Sequence, residues 1–154
     1  MKGNEQIIQH LNDRLAEELT GINQYFVHAE MAENWNYDRL GDLIKKRSIV
    51  EMKHAEALIE RILYLEGKPI VSKLNEIRIG QEVPQMHRND LDLELGADKN
   101  YNASIKLAAE LGDDGTKKLL ESILKDEEDH IDWLEAQLDQ IEQMGIQNYL
   151  SQQV

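Results

Sequence analysis

The sequence predicts an all-α protein: a four-helix bundle with one long crossover and a short C-terminal fifth helix. Three observations predict this fold. The chain of 154 residues has only two Pro and is rich in Leu, Ile, Glu, Lys and Gln, which favour helices. Apolar residues recur at helical spacing along four long stretches. Turn signals separate these stretches by short links, except for one long segment in the middle.

Two helices are predicted in the first half of the chain. The first covers residues 5–34 and ends at the turn-rich residues 34–38, where Asp38 is a candidate N-cap. The second runs over residues 39–66 and stops before Gly67 and Pro69. The short link between them predicts an antiparallel helical hairpin.

A second helical hairpin is predicted in the other half. Pro84 suits the first turn of a third helix that ends near Leu111, and residues 112–115 break it. Asp114 is a candidate cap for a fourth helix to Met144, and residues 146–150 form a short fifth. The segment between the hairpins is long enough to cross the bundle, which is the ferritin-like variant of the fold. We expect one domain over residues 1–154.

Composition and charge exclude several classes of protein. The absence of Cys excludes disulfides and thiolate metal sites. No apolar run approaches the roughly 18 residues that a membrane helix needs, and the first residues show no apolar signal segment. The net charge of −13 disfavours nucleic acid and anionic membranes as partners, although ordinary solubility explains it equally well. A cytoplasmic location is the expectation.

One spaced set of residues occurs twice. Glu18 is followed 33 residues later by Glu51, and His54 follows Glu51 at position i+3. The second set, 76 residues further along the chain, is Glu94, Glu127 and His130. A Glu and a His at i and i+3 share one face of a helix. Four carboxylates and two imidazoles supplied by four helices are typical of a di-iron or di-manganese centre, which indicates metal-dependent redox chemistry.

Periodicity indicates that these six side chains face the core. On each helix they interrupt a row of apolar residues at helical spacing. The rows are Leu11, Leu15, Glu18, Ile22, Tyr25 and Ala29; Leu40, Ile44, Arg47, Glu51, His54, Leu58, Ile62 and Leu65; Val83, Leu91, Glu94, Ala97, Tyr101, Ile105 and Ala108; and Leu120, Ile123, Glu127, His130, Leu134, Leu138 and Ile141. Glu17 lies instead with Arg14, Gly21 and His28 on a face predicted to be polar.

Buried acids in this number need a counter-charge. A buried carboxylate costs several kcal/mol unless it is paired or metal-bound, and four together repel one another. Two divalent cations remove that difficulty. Carboxylates with one imidazole per metal suit Fe(II) or Mn(II), whereas a structural zinc site favours Cys or more His.

Several neighbouring residues keep two interpretations. Tyr25 is either a ligand-bonding or electron-donating residue or an ordinary core tyrosine. Trp133 is more typical of packing than of redox chemistry. Arg47 either pairs with a site carboxylate or reaches the bundle end. The remaining histidines lie off the core rows and are expected at the surface: His10, His28 and His87.

Short stretches carry a resemblance to a known family. They are residues 23–26 (NQYF), 51–55 (EMKHA), 59–63 (IERIL), 65–67 (LEG), 126–128 (DEE), 130–133 (HIDW), 144–145 (MG) and 148–150 (NYL). Through them the chain resembles the bacterioferritin family over nearly its full length. The resemblance implies a 24-subunit homo-oligomeric cage that oxidises Fe(II) and stores Fe(III) mineral. It also implies two Fe ions per subunit, held by the six residues above.

The resemblance implies a second cofactor as well. Bacterioferritins bind one haem b per two subunits through a Met from each, and the matching residue here is Met52. Met52 lies off the metal-site row, on a second apolar flank of its helix, which indicates a subunit contact; simple packing there is the alternative. Lys45 stands where the family often has a haem-pocket tyrosine. Lys46 and Val50 stand where some members have an additional inner iron site, so that site is expected to be absent.

These observations together predict a ferroxidase and iron-storage protein. Fe(II) and dioxygen or hydrogen peroxide are the expected substrates, with Glu51 and Glu127 as bridging ligands, since each shares a helix with a terminal His. Electrons for iron release are expected from a ferredoxin or a reductase through the haem. Two alternatives stay open: a rubrerythrin-like di-iron peroxidase, and a haem-binding electron-transfer bundle without oxidase activity.

Overall fold

The computed structural model describes residues 1–154 and is all-helical, as the sequence predicted. The helices are α1 (Glu5–Asn34), α2 (Asp38–Tyr64), α3 (Val83–Glu110), α4 (Asp114–Met144) and α5 (Ile146–Ser151). Helix α1 packs along α2 and α3 along α4, while α1 and α3 join the two hairpins and α5 folds back on α4. None of these helices has the length and apolar character required to cross a membrane.

The apolar core is divided into two clusters, one on each side of a central polar layer. The first cluster includes Leu11, Leu58 and Leu120, and the second includes Tyr25, Leu40 and Met86. The rows identified by periodicity supply most of both clusters, so the inward orientation of α1–α4 is confirmed. The six spaced acids and histidines lie between the clusters, at the level where every helix points a polar residue inward.

The crossover, residues 65–82, follows α1 for most of its length. Side chains of α1 bind its backbone in sequence: Asn12 accepts from the N–H of Ile70, Thr20 from Asn75, Gln24 from Arg78, and His28 from Gly80. From Asn12 to His28 the helix rises by about 24 Å at 1.5 Å per residue. The predicted crossing of the bundle is thus confirmed, and it depends on polar residues of α1.

Two predicted helix caps are off by one residue. Asp38 is the first residue of α2 rather than its cap, because Tyr37 occupies the N-cap position. Asp113, not Asp114, caps α4: its Oδ1 accepts a hydrogen bond from the backbone N–H of Thr116 at 3.0 Å. Asp113 also binds Arg61 of α2, which joins this helix end to the other hairpin. The carboxylate that can reach a second partner becomes the cap.

The polar face predicted on α1 is wrong, because Arg14, Gly21 and His28 are buried. Arg14 donates to Ser104 and to the carbonyl of Asn100 on α3. His28 is fully enclosed: its Nδ1 lies 2.9 Å from Asp90, and its Nε2 accepts from Gly80. The crossover and α3 cover this face of α1. The periodicity of α1 alone does not show that either segment packs there.

His87 was also expected at the surface and is fully buried. Its Nε2 lies 3.0 Å from the hydroxyl of Tyr149, which donates onward to Gln137, so His87 is the donor in this chain of hydrogen bonds. Burial, with the charges of His28 and His130, lowers the pKa of His87 to about 3. The residue is therefore a neutral link between α3 and the short α5. His10, the third of these histidines, is half-buried and contacts Ser104.

Candidate metal centre

The structure brings the six spaced residues together at the middle of the bundle. Each of α1 and α3 supplies one carboxylate, and each of α2 and α4 supplies one carboxylate and one imidazole. All six side chains are buried, with exposed fractions between 1% and 7%: Glu18, Glu51, His54, Glu94, Glu127 and His130. The i, i+3 spacing works as predicted, since each His points to the same side of its helix as its Glu.

One half of the centre is compact. Ligand atoms of Glu18, Glu51, His54 and Glu127 all lie within 4.8 Å of one another. Nδ1 of His54 is 3.4 Å from Glu18 Oε2 and 3.4 Å from Glu127 Oε1. Atoms at these separations can converge on a single cation, because metal–oxygen and metal–nitrogen bonds of about 2.0–2.2 Å span such a gap.

The other half is formed by Glu94 and His130. Nδ1 of His130 lies 3.3 Å from Glu94 Oε1. This pair stands outside the compact group, and Arg47 connects the two halves. Its Nη2 lies 2.7 Å from Glu51, 3.2 Å from Glu127 and 3.9 Å from Glu94. Arg47 therefore pairs with site carboxylates, and its alternative role at the bundle end is excluded.

The hydrogen-bonding of these six residues is incomplete in the same way throughout. Each has one buried ligand atom that forms no hydrogen bond of normal geometry, although ion-pair contacts to Arg47 or to one another reach most of them: Glu18 Oε2, Glu51 Oε1, His54 Nδ1, Glu94 Oε2, Glu127 Oε1 and His130 Nδ1. Buried polar atoms are normally paired, and unpaired ones are costly. Six such atoms facing one space fit two divalent cations with carboxylate and imidazole ligands.

Burial governs the protonation of the carboxylates. It raises the pKa of Glu18 to about 7, against the opposing effect of its hydrogen-bond partners. Burial and the neighbouring charges of Glu18 and Glu94 raise the pKa of Glu51 well above its usual value. Glu94 differs: burial opposes its ionisation, but His130, Arg47 and Tyr25 outweigh that effect and lower its pKa. The metal-free site thus keeps protons that a cation would displace.

A second layer of residues orients the ligands. The Tyr25 hydroxyl donates a hydrogen bond to Glu94, so Tyr25 contacts a proposed ligand. The Tyr101 hydroxyl donates to Glu18 Oε1 at 2.6 Å, and Asp126 Oδ2 lies 2.8 Å from His54 Nε2. Trp133 stacks on His130, with ring centroids 6.0 Å apart. Carboxylate partners of this kind fix the orientation of a metal-binding imidazole.

Sequence reasoning missed Tyr101 and Asp126 as members of this layer. Tyr101 stands on the core row of α3, two turns after Glu94, the same relation that Tyr25 has to Glu18. That repeated spacing was the available signal. Asp126 is half exposed and gave none, because it belongs to an acidic stretch of α4 and its partner His54 comes from α2.

Comparison with known proteins agrees with this geometry. A ferritin-like domain family matches residues 8–144. The bacterioferritin of Mycolicibacterium paratuberculosis is 40% identical over 152 residues, which cover 99% of this chain and 96% of the relative. Those of Brucella melitensis and Streptomyces coelicolor are each 41% identical, over 97% and 98% of this chain and 92% and 90% of the relatives.

The chain belongs to the bacterioferritin family. Iron storage is the function that this membership and the buried carboxylate and imidazole cluster support. The compact half of the cluster is a candidate iron site formed by three helices. The bacterioferritin relatives match nearly end to end, so the whole bundle, including the crossover and α5, belongs to the shared structure.

Met52 lies on a different surface from the cluster. It is 46% exposed and is flanked by two other exposed apolar side chains of α2, Ile49 and Leu63. Lys45, about two helical turns before Met52, has its ammonium 4.0 Å from Glu33. The side chains of Ile49, Met52 and Leu63 form an exposed apolar strip along α2.

Proposed function

We propose that this bacterioferritin-family chain is a ferroxidase that oxidises Fe(II) to Fe(III) and stores it as a mineral. The observation that carries the proposal is the set of six buried ligand atoms, one from each predicted residue, that lack hydrogen-bond partners around one space. Two Fe(II) supply two electrons. With two protons, these reduce hydrogen peroxide to two waters, or dioxygen to hydrogen peroxide.

We assign the ligands by helix. Glu51 and Glu127 would be shared by the two metal positions, because each shares a helix with a His and both contact Arg47, which also lies 3.9 Å from Glu94. Glu18 and His54 would complete one position, and Glu94 with His130 the other. This assignment is consistent with the compact grouping of Glu18 with His54 and the separate pairing of Glu94 with His130.

The surrounding residues would hold this arrangement. The Tyr101 hydroxyl fixes one oxygen of Glu18, which leaves the other directed at the site. The hydrogen bond between Asp126 and Nε2 of His54 orients Nδ1 of that ring toward Glu18 and Glu127. These contacts pre-organise the donors and exclude competing hydrogen bonds, so binding of iron requires little rearrangement of the ligands.

The assembly and the second cofactor complete the proposal. The single-domain chain would form a homo-oligomeric cage of 24 copies, with the exposed flank of Ile49, Met52 and Leu63 at a two-fold contact. Two Met52 thioethers facing across that contact would hold one haem b per two chains. When bound, the haem supplies an electron route for reductive iron release, with a ferredoxin or reductase as donor.

Three measurements on one sample test the proposal. Stopped-flow absorbance should show a rapid Fe(II) oxidation phase that saturates at two Fe(II) per chain. Size exclusion should show the cage, and the visible spectrum should show a Soret band. Absence of the rapid phase would refute the ferroxidase. A small oligomer that reduces peroxide without retaining iron would favour the rubrerythrin-like alternative, and haem without iron oxidation would favour the electron-transfer bundle.

A further inference from the structure

Arg47 is a cation already present inside the carboxylate cluster. One nitrogen, Nη2, contacts carboxylates from α2, α4 and α3, namely Glu51, Glu127 and Glu94. Its other terminal nitrogen, Nη1, donates to the backbone carbonyl of Asp126. Burial opposes the charge of Arg47, but the surrounding carboxylates raise its pKa, so the guanidinium stays positive. It supplies part of the counter-charge that four buried acids require.

The position of Arg47 is asymmetric with respect to the two halves of the centre. All its ion pairs are with the bridging carboxylates or with Glu94, and it forms none with Glu18. In the compact half, Glu18 and His54 form no ion pair with the guanidinium. Glu127 contacts the guanidinium through Oε2, while its Oε1 lies 3.4 Å from Nδ1 of His54. In the other half, Nη2 lies within 3.9 Å of Glu94 while it also contacts Glu51 and Glu127, so the guanidinium is on the Glu94 side of these carboxylates.

A surface pocket gives the guanidinium a place to move. The pocket has a volume of about 270 Å³ and lies between α2 and α4, lined by Leu43, Lys46, Arg47, Val50, Asp129, His130 and Trp133. It reaches from solvent to Arg47 and His130. Asp129 offers a carboxylate in the lining, and the Nε of Arg47 has no hydrogen-bond partner where it now lies. If the Arg47 side chain extended into this pocket, its guanidinium could form an ion pair with Asp129 outside the centre.

We propose that Arg47 makes the two metal positions unequal, so that they fill in order. The first cation binds at the Glu18 and His54 half. The second binds at the Glu94 and His130 half only as Arg47 leaves, because two cations sharing the same carboxylates repel each other strongly at these distances. Arg47 is thus a positioning residue that sets metal affinity. This inference rests on the proposed metal centre.

The test is an equilibrium titration of metal-free cages with Co(II), which binds oxygen and nitrogen ligands without being oxidised by air. Calorimetry and the visible absorption bands of Co(II) measure the binding of the first and the second Co(II) ion. For the wild type we expect two Co(II) per chain, with the second step at least about tenfold weaker than the first. In Arg47→Gln we expect the second step to tighten by at least about tenfold and the first to change by less than about threefold.

Lys118→Gln is the matched control. The substitution changes the net charge equally, but Lys118 pairs with the exposed Asp114 and with no site carboxylate. We expect its two steps to match the wild type. Arg47→Lys keeps the charge and should keep the second step weak. If Arg47→Gln fails to fold without metal, Co(II) should restore folding, because the cations replace the lost counter-charge; failure of Co(II) to restore it would count against the proposal.

The outcomes separate this inference from the proposed function. Absence of Co(II) binding in the wild type would refute the metal centre itself. Two equal steps in the wild type, or equal changes in both steps for Arg47→Gln, would refute only the role of Arg47. Tightening in Lys118→Gln as large as in Arg47→Gln would show a general charge effect and would also refute it.

Discussion

Two buried polar clusters in this bundle differ in how completely they are paired. We define the crossover clasp as Gln24, His28 and Asp90. Both ring nitrogens of His28 and both the amide nitrogen and the amide oxygen of Gln24 form hydrogen bonds. No side-chain atom of the clasp is left buried and unpaired. In the metal centre every one of the six residues leaves a buried ligand atom unpaired.

The difference distinguishes these two clusters, although single unpaired buried atoms also occur outside the centre, at Arg14 Nε, Glu17 Oε2, His87 Nδ1 and Asp98 Oδ1. Burial alone does not distinguish them, because members of both clusters are almost fully enclosed. A satisfied cluster has its free-energy minimum without any ligand, whereas an unsatisfied one reaches its minimum only when a ligand binds. Substitutions should therefore affect stability in the clasp and metal-dependent reactions in the centre.

The largest expected effect is on iron oxidation in the metal centre. Glu94→Ala and His130→Ala should each reduce the rapid phase of Fe(II) oxidation by at least about 100-fold, because each removes a ligand from a site with few to spare. Helix content and cage size should be unchanged. Stopped-flow mixing at two Fe(II) per chain measures the rate.

The control for this pair is Glu128→Ala, which removes an exposed acid next to Glu127. It should oxidise Fe(II) at the wild-type rate. Near wild-type rates in both Glu94→Ala and His130→Ala would show that the unpaired atoms do not mark the oxidation site. The difference in pairing between the two clusters would then not indicate function.

A second substitution tests a surface that belongs to neither cluster. Met52→Leu should remove haem while preserving the cage and the rapid oxidation phase, because Leu keeps the apolar volume but has no sulfur. Haem content per chain after reconstitution, with elution volume and oxidation rate, measures the outcome. An unchanged haem content and spectrum in Met52→Leu would mean that Met52 only packs at this surface.

The clasp should respond to substitution through stability alone. His28→Ala should lower the free energy of unfolding of the metal-free protein by about 3 kcal/mol, since it removes one partner of Asp90, leaves the Gly80 N–H unpaired and creates a cavity. Urea denaturation provides the value, with the exposed Glu30→Ala as control. Folded His28→Ala should still oxidise two Fe(II) per chain rapidly; a selective loss of oxidation would assign the clasp a functional role.

An effect confined to one pH range is expected in the stability of the metal-free centre. Glu18 ionises near 4.5 when unfolded, and burial raises its pKa to about 7 in the folded chain. Between these pH values the folded state binds more protons, so stability falls as pH rises, by up to about 3 kcal/mol. His87 has a lowered pKa, so its contribution makes stability increase as pH rises toward 6.5.

Comparison of Glu18→Gln with the wild type removes the contribution of His87, which is common to both, and measures Glu18 together with its effect on the pKa of Glu51. The stability of the variant relative to the wild type should increase as pH rises from 4.5 through 7. Urea denaturation with a chelator present gives both curves. A relative stability independent of pH would mean that Glu18 is ionised in the metal-free protein and that the centre is better paired than its geometry indicates.

The sequence by itself determined the fold class, the helix bounds to within one or two residues and which six buried acids and histidines are the candidate ligands. These features are local, because helical periodicity fixes which residues share a face, and a repeated Glu and Glu-x-x-His spacing fixes which faces carry ligands. The family resemblance added iron as the expected metal and Met52 as a haem ligand.

Only the tertiary structure decided which other polar residues are buried and what they contact. His28 lies on a helix face that would be solvated in isolation, and it is buried because the crossover, which has no periodic signal, follows that face. His87 is enclosed by α5 from the far end of the chain. Arg47 shares its helix with Glu51, yet its contacts with Glu94 and Glu127 depend on how three helices meet. Such contacts join residues distant in sequence, so no local pattern encodes them.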